Sequence, residues 1–433
     1  MVRLDIPTLE QISAGLIKVQ ARQGRLYPYP QDLQLGYDRV VLAFLVGGKA
    51  LDVPDSIPKF YELCEQPFEE WGVEIDDEID SSDSLLFLGE PTELTIELAE
   101  AFGGSVLSQE QTKIATELLQ HCQSHPQGVQ IYTKFRRFII EHPVLSNQEF
   151  VKAKGDFGLG VGLSDLLDEC YEPVPSCYEL EGNFYACPYC HGLAGVNPQR
   201  QVIANSSCNR CPPGRRLKRK VKLPSDCLKL KRGIERFWFY PGRAEIQLFQ
   251  KLVDLGLEVE LYPECDRYDL RIKFSDGEVW ALDLKDYSNP YLLVRNLGDE
   301  PIPSEPSWNV AYIVIPAERK KDRPAYLKEL KSRWRWENVK PIFDDAVFAL
   351  AKKKAGVCGV ELAQSEADME NDTHPSTNSK RSKAGVESDT SPTESKQINT
   401  SAEGNKRPAT SKTLKEKNAK RDKSPTKNKG RKT

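Results

Sequence analysis

Leu9, Ile12, Leu16 and Val19 recur three or four residues apart, the spacing that lays apolar side chains along one stripe of a helix. The chain is therefore expected to open on an amphipathic helix. An apolar run at 40–46 follows; it fits a helix or a short buried strand, and both readings stay open. Carboxylates crowd residues 68–83, which end in Ser81, Ser82 and Asp83 and read as a solvated loop. A second helical stretch is expected over 91–167, so that residues 1–180 are mostly helical. Residues 181–232 bring paired cysteines, few long apolar runs and a basic stretch over 215–232, the profile of a separate small module. From 233 to 355 the pattern turns to helix, strands, helix, strand, as in a compact α/β domain. Residues 356–433 are rich in Ser, Thr, Asn, Lys and Glu; such a segment cannot bury enough surface to offset its chain entropy, and a disordered basic tail is expected.

Within 233–355 the periodicity is finer. Ile246, Phe249, Leu252 and Val253 form one helical stripe over 243–255, Gly256 is placed to stop it, and Glu245 falls in the first turn. A strand is expected at 258–262 and another at 268–274, with Leu270, Ile272 and Phe274 on one face and Asp269 opposite them or at the strand's start. Ser275, Asp276 and Gly277 signal a hairpin turn. On the third strand, 279–285, alternation puts Val279, Ala281, Asp283 and Lys285 on one side and Trp280, Leu282 and Leu284 on the other. A loop over 290–307, a fourth strand at 310–315 and a charged helix at 324–335 complete the expected order.

The hairpin brings Asp269 beside Asp283 and Lys285. Two carboxylates on adjacent strands suit Mg2+, a hard cation that polarises a phosphodiester, while a lysine alongside orients or deprotonates the attacking water. An acid, any residue, then Lys is common: Glu318 with Lys320, Glu329 with Lys331 and Glu394 with Lys396 also match. Only Asp283 with Lys285 ends an apolar strand joined through a turn to another strand bearing an Asp. The plainer alternative is a half-exposed sheet with solvated charges. For Glu245 the alternative is a helix dipole satisfied by an acid in the first turn.

Charge and cysteine content change this picture in two ways. Of 433 residues with a net charge of -4, residues 1–180 hold 13 Lys and Arg against 30 Asp and Glu, so the remainder is net basic, and the last 28 residues carry 12 basic and 2 acidic side chains. Opposite signs in different segments suggest a nucleic-acid-facing portion and an acidic one that recruits a protein partner or screens the first. No apolar run reaches about 18 residues, and the start lacks the basic and apolar character of an export signal. Neither a membrane span nor secretion is expected, and a cytoplasmic setting is the default, in which thiols stay reduced.

Eleven cysteines are then better read as metal ligands than as disulfides. Cys187 and Cys190 flank two residues, Cys208 and Cys211 flank two more, and 17 residues separate the pairs. Two such turns supply the opposite edges of a closed four-sulfur Zn2+ site, which is structural because no coordination position is left for a reactive water. His191 is a competing ligand, coincidental spacing is the bland reading, and Cys170, Cys177 and Cys227 lie outside the pattern. Residues 187–211 resemble the zinc ribbons of nucleic-acid proteins. Just beyond, Arg215, Arg216, Lys218, Arg219, Lys220 and Lys222 would make a phosphate-binding patch, with Lys229, Lys231 and Arg232 next to it. The alternative is an ordinary solvated basic face.

Over residues 234–340 the arrangement of Glu245, Asp269, Asp283 and Lys285 resembles the PD-(D/E)XK nuclease superfamily, with Tyr268 standing where that family's pattern often has proline. The resemblance implies that the two central acids bind Mg2+, the lysine serves the water and the helix acid completes the site. Together with the cysteine pairs, the chain also resembles endonucleases encoded beside prokaryotic PIWI-type proteins. The fold class expected is multidomain α+β: a mostly helical region at 1–180, a four-Cys zinc ribbon with basic extension at 181–232, a restriction-endonuclease-like α/β core at 233–355 and a disordered basic tail at 356–433. The function expected is a Mg2+-dependent endonuclease, acting on DNA ahead of RNA, in prokaryotic defence or a mobile-element setting. A non-catalytic, zinc-containing nucleic-acid-binding or scaffold protein is the alternative.

Overall fold

A computed structural model describes residues 3–22, 25–49, 52–87, 89–102, 106–158, 163–197, 199–204 and 216–356. The expected tail, together with Cys208, Cys211 and Arg215, lies outside them. The architecture is mixed α and β with several small sheets, and one compact unit spans Met1–Leu362.

The first helix, α1 (Ile6–Ala21), starts where Asp5 accepts the backbone N–H of Thr8 at 3.0 Å, a side-chain cap for an otherwise orphaned donor. Its stripe Leu9, Ile12, Leu16 and Val19 is buried throughout. The 40–46 run belongs to a second helix, α2 (Gln31–Val46). The two helices cross closely because of glycine: a Cβ on Gly15 would stand 2.4 Å from the backbone nitrogen of Leu33. Residues 68–83 are more than a solvated loop. Phe68 and Trp71 are buried, and Glu74–Ile75 pairs in parallel with Arg3–Leu4, so aromatic anchors hold a carboxylate-rich surface in place. After a short helix at Ile57–Leu63, the helix α3 (Glu93–Ala101) packs on α1 and is capped by Thr92. Helices Val106–Gln123, α4 (Gly128–Glu141), Asn147–Gly158 and Ser164–Cys170 follow, with small strands between.

After the cysteine-containing segment comes α5 (Tyr240–Asp254), ended by Gly256 at φ 78°, a left-handed conformation that glycine adopts freely. The helix begins three residues earlier than expected, which places Glu245 inside it and not at its exposed first turn. A five-stranded sheet follows: β1 (Glu258–Leu261), β2 (Leu270–Lys273), β3 (Val279–Leu284), β4 (Val310–Ile315) and β5 (Val339–Phe343), in that spatial order. The first three strands are antiparallel neighbours, while β3, β4 and β5 run parallel. The parallel connections need crossovers. The first contains a short helix, α6 (Pro290–Asn296), inside the stretch expected to be a loop, and the second contains Tyr326–Ser332, shorter than the expected 324–335.

Alternation along β3 is kept. Trp280, Leu282 and Leu284 join a core with Leu248 and Leu252 of α5 and with Val347 and Ala351 of the last helix, α7 (Asp344–Lys354). Ala281 belongs to a second core with Leu293, Ile313 and Tyr326. The first of these cores is continuous from Ile114 to Ala351, so Leu118, Phe135 and Ile139 of the helical region share it with the sheet. No described helix is long and apolar enough to cross a membrane.

Candidate active site

The hairpin between β2 and β3 turns on Gly277 at φ 86°, with Asp276 accepting the N–H of Glu278 at 3.0 Å. Its register pairs Leu270 with Leu282, and the next step outward sets Asp269 level with Asp283. The Oδ2 of Asp269 accepts the N–H of Leu284 at 2.5 Å. Lys285 Nζ lies 2.7 Å from Asp283 Oδ2. From α5, Glu245 approaches the same end of the sheet, where the hydroxyl of Tyr262 donates to its Oε2 at 2.5 Å.

Glu245, Asp269 and Asp283 are 2%, 5% and 7% exposed, which rules out the reading of solvated charges on an open sheet face. It also removes the helix-dipole account of Glu245. Carboxylates so withdrawn from water need partners, and here they crowd one another. Burial first, then the charges of Glu245 and Asp283, push the Asp269 carboxyl well above its ordinary range. Burial also raises Glu245, against the pull of Arg136. Burial alone would lower Lys285, but Asp283 and Asp269 outweigh it and hold the ammonium above its usual value. A buried cluster of acids with one lysine is an arrangement poised to accept further positive charge.

The donor set is chemically that of a hard divalent cation: carboxylate oxygens at the end of two strands with a third on a helix. Among the described residues, however, no three His, Cys, Asp or Glu side chains already stand at a spacing that encloses an ion. One oxygen of Asp283 is instead paired with Lys285.

Residues 242–357, which contain all four of these side chains, match a known family model. It is described as the REase associating with pPIWI_RE. Residues 8–146 match a second, described as pPIWI_RE three-gene island domain Y. No curated protein and no solved structure matches. The two segments place the chain in a restriction-endonuclease-like, pPIWI-associated context, with the REase segment forming α5, the sheet and α7.

Between the two matched segments, Cys187 and Cys190 come together in a tight turn: the N–H of Cys187 donates to Gly192 O at 2.9 Å and that of His191 to Cys187 O at 2.8 Å. Both cysteines are buried, whereas His191 is exposed. Arg243 Nη2 donates to Tyr189 O at 2.9 Å, tying this turn to α5 of the REase segment. Arg216, Lys218, Arg219, Lys220 and Lys222 are all exposed. Three of them, Arg216, Lys218 and Lys220, line a cleft of about 620 Å³ with Arg200, a residue outside the expected patch. Two of the cations placed next to the patch do not belong to it. Lys229 is buried against Glu172 at 2.5 Å, and Arg232 pairs with Glu90 at 2.6 Å, so both are engaged within the fold.

Sequence reasoning missed Arg136, Tyr262 and Asp266. Arg136 Nη1 lies 2.9 Å from Asp266 Oδ2 and Nη2 3.6 Å from Glu245 Oε1. A signal was there: Arg136 falls on the buried face of α4 together with Tyr132, Phe135 and Ile139, and a cation on an apolar stripe needs a buried partner. Also missed was Glu97 on α3, which accepts the N–H groups of Ser288 and Asn289, three and four residues past Lys285.

Proposed function

We propose that the protein is a metal-dependent nuclease that hydrolyses phosphodiester bonds, with DNA as its substrate and prokaryotic defence as its setting. The observation that carries this reading is the burial of Glu245, Asp269 and Asp283 around one end of the sheet, with the half-buried Lys285 paired to Asp283, inside the segment that matches the REase family. Asp269 and Asp283 would hold Mg2+, with Glu245 as the third acid. When bound, the ion supplies charge stabilisation at the scissile phosphate and makes water a better nucleophile. Lys285, released from Asp283, is left to orient the attacking water and to balance phosphate charge. Leu284 N–H fixes the orientation of Asp269, so the carboxylate is held in place before substrate arrives.

The cysteine turn is read as half of a structural Zn2+ site, completed by Cys208 and Cys211, and the basic cleft beside it as a track for the sugar-phosphate backbone. Arg243, anchored on the cysteine turn, links that module to the helix that carries Glu245.

The decisive measurement is nicking of supercoiled plasmid in Mg2+ by the full-length protein and by Asp283→Ala. Cleavage by the first and none by the second is expected. Binding without cleavage by either, across plasmid, linear DNA and RNA, would overturn the enzyme reading and leave a nucleic-acid-binding protein. Zinc is checked separately: one ion per chain is expected, lost in Cys208→Ser, and metal-free protein of normal stability would sink that assignment.

A further inference from the structure

The first matched segment ends at residue 146 and the second starts at 242, yet side chains of the first reach the acids of the second. Arg136 on α4 is buried and holds two carboxylates of the REase segment: Asp266 at 2.9 Å and Glu245 at 3.6 Å. Its guanidinium lies 4.8 Å from the ring centre of Tyr262 and 5.4 Å from that of Trp238, a stacked position that fixes a planar cation. Tyr132, one turn earlier on α4, donates its hydroxyl to Asp266 at 2.8 Å. Thr133 donates to the carbonyl of Leu261.

These contacts fall on the most strained stretch of the described backbone. Tyr262, Glu264, Cys265 and Asp266 have φ of 55°, 48°, 60° and 74°, left-handed values that residues other than glycine adopt only where the surroundings hold them. That turn ends three residues before Asp269. It also carries Tyr262, whose hydroxyl fixes the second oxygen of Glu245. Arg136 thus holds Glu245 directly and, through Asp266, steadies the turn that holds it again from the other side.

We propose that the nuclease site is a composite of the two matched segments, in which Arg136 of the domain Y segment is a positioning residue for Glu245 and for the turn at 262–266. Arg136 does not touch the reacting atoms; it keeps the third acid aimed at Asp269 and Asp283. The domain Y segment is on this account a working part of the nuclease and not a separate module carried on the same chain. Its chemistry rests on the nuclease reading, and the test is chosen so that either can fail alone.

Full-length Arg136→Gln, Arg136→Lys, Glu245→Gln and the double R136Q/E245Q variant are compared with the parent in plasmid cleavage and, separately, in Mn2+ binding by titration calorimetry. R136Q is expected to lower kcat about tenfold or more, the usual effect of losing a partner behind a metal-site ligand, with KM for plasmid unchanged. R136K should recover part of the loss, because an ammonium still reaches one of the two acids. The double variant should be no worse than E245Q alone, since the two residues act as one unit. Should the parent not cut DNA, the nuclease reading fails, and the same cycle read on Mn2+ affinity still judges the composite site. Effects of R136Q and E245Q that add, in kcat or in Mn2+ affinity, would overturn the proposal. So would an R136Q protein that melts earlier but keeps the parent's kcat and Mn2+ affinity per folded molecule, because that is the behaviour of a merely structural arginine.

Discussion

The strands at 258–285 and the helices at 93–141 bring charge to the buried site and to the loop beside it, by opposite routes. In the strands, acids and lysine are placed by local rules: alternation along β3, a turn that needs Gly277, and a register that sets Asp269 level with Asp283. In the helices, Arg136 and Glu97 reach residues more than a hundred positions away in sequence. The difference separates two tasks. Groups that would do chemistry sit close together in sequence on a rigid sheet, while groups that fix their orientation are recruited from a distant helical region. Such orienting partners are nearly as consequential as the ligands they hold.

The comparison is sharpened most by Lys285→Ala. Lys285 belongs to the locally encoded set, so cleavage should fall by more than about 100-fold, beyond the range of an orienting partner, with plasmid affinity little changed. A loss no greater than that of R136Q would break the distinction. Next in size is Phe135→Ala. Phe135 is fully buried, and its ring lies 5.3 Å from that of Phe157 and 6.5 Å from that of Trp238, so truncation should cost about 3–5 kcal/mol. Urea unfolding should remain one transition by far-UV circular dichroism and by tryptophan fluorescence; two separated transitions would show that helices and sheet are independent after all.

A smaller effect is expected at Glu97. Burial pushes its carboxyl up to about 8, against the opposing pull of Arg319 and the Ser288 N–H. Between its ordinary value of 4.5 and about 8, the folded protein keeps a proton that the unfolded chain releases. Its contribution to stability is therefore fullest at low pH and is lost as pH rises through that window. Glu97→Gln should remove this slope, at most about 1.4 kcal/mol per pH unit, in urea titrations run across the window; an unchanged slope would mean that the loop after Lys285 is not held by a titrating group. The smallest effect concerns the basic cleft. R216A/K218A/K220A should lower the slope of log affinity against log salt by about 2–3 while leaving kcat at saturating DNA intact, and an unchanged slope would remove the cleft from the DNA path.

Much of the sheet was legible because its signals are short-range. Strands at 258–261, 270–273, 279–284 and 310–315 follow the expected pattern, as does the stop at Gly256. The helix at 290–296 was not, because seven residues are too few to show a helical period and it is secured by Asn289, whose side chain accepts the N–H groups of Tyr291 and Leu292. Residues 68–83 misled for a related reason: their many carboxylates mask Phe68 and Trp71, two side chains that anchor the whole stretch. At the site, Asp269, Asp283 and Lys285 could be grouped by alternation and turn chemistry alone, whereas Glu245 joined them only through the family resemblance. Arg136 could be flagged as a cation on an apolar face, but nothing near it in sequence names Glu245 or Asp266 as its partners. Periodicity reports which way a side chain faces and carries no information about what waits on the other side.

The continuity of one core from Ile114 to Ala351 has a consequence for how the molecule is made. Helix α4 leaves the ribosome with Ile131, Phe135 and Ile139 turned toward partners that are encoded as far on as Val347. Roughly 200 residues must still be synthesised, which at ordinary translation rates takes about 10–40 s. For that interval the nascent chain carries an uncovered apolar face and an incomplete set of acids. Whatever chemistry the site performs cannot begin on the ribosome until almost all of the described sequence has emerged.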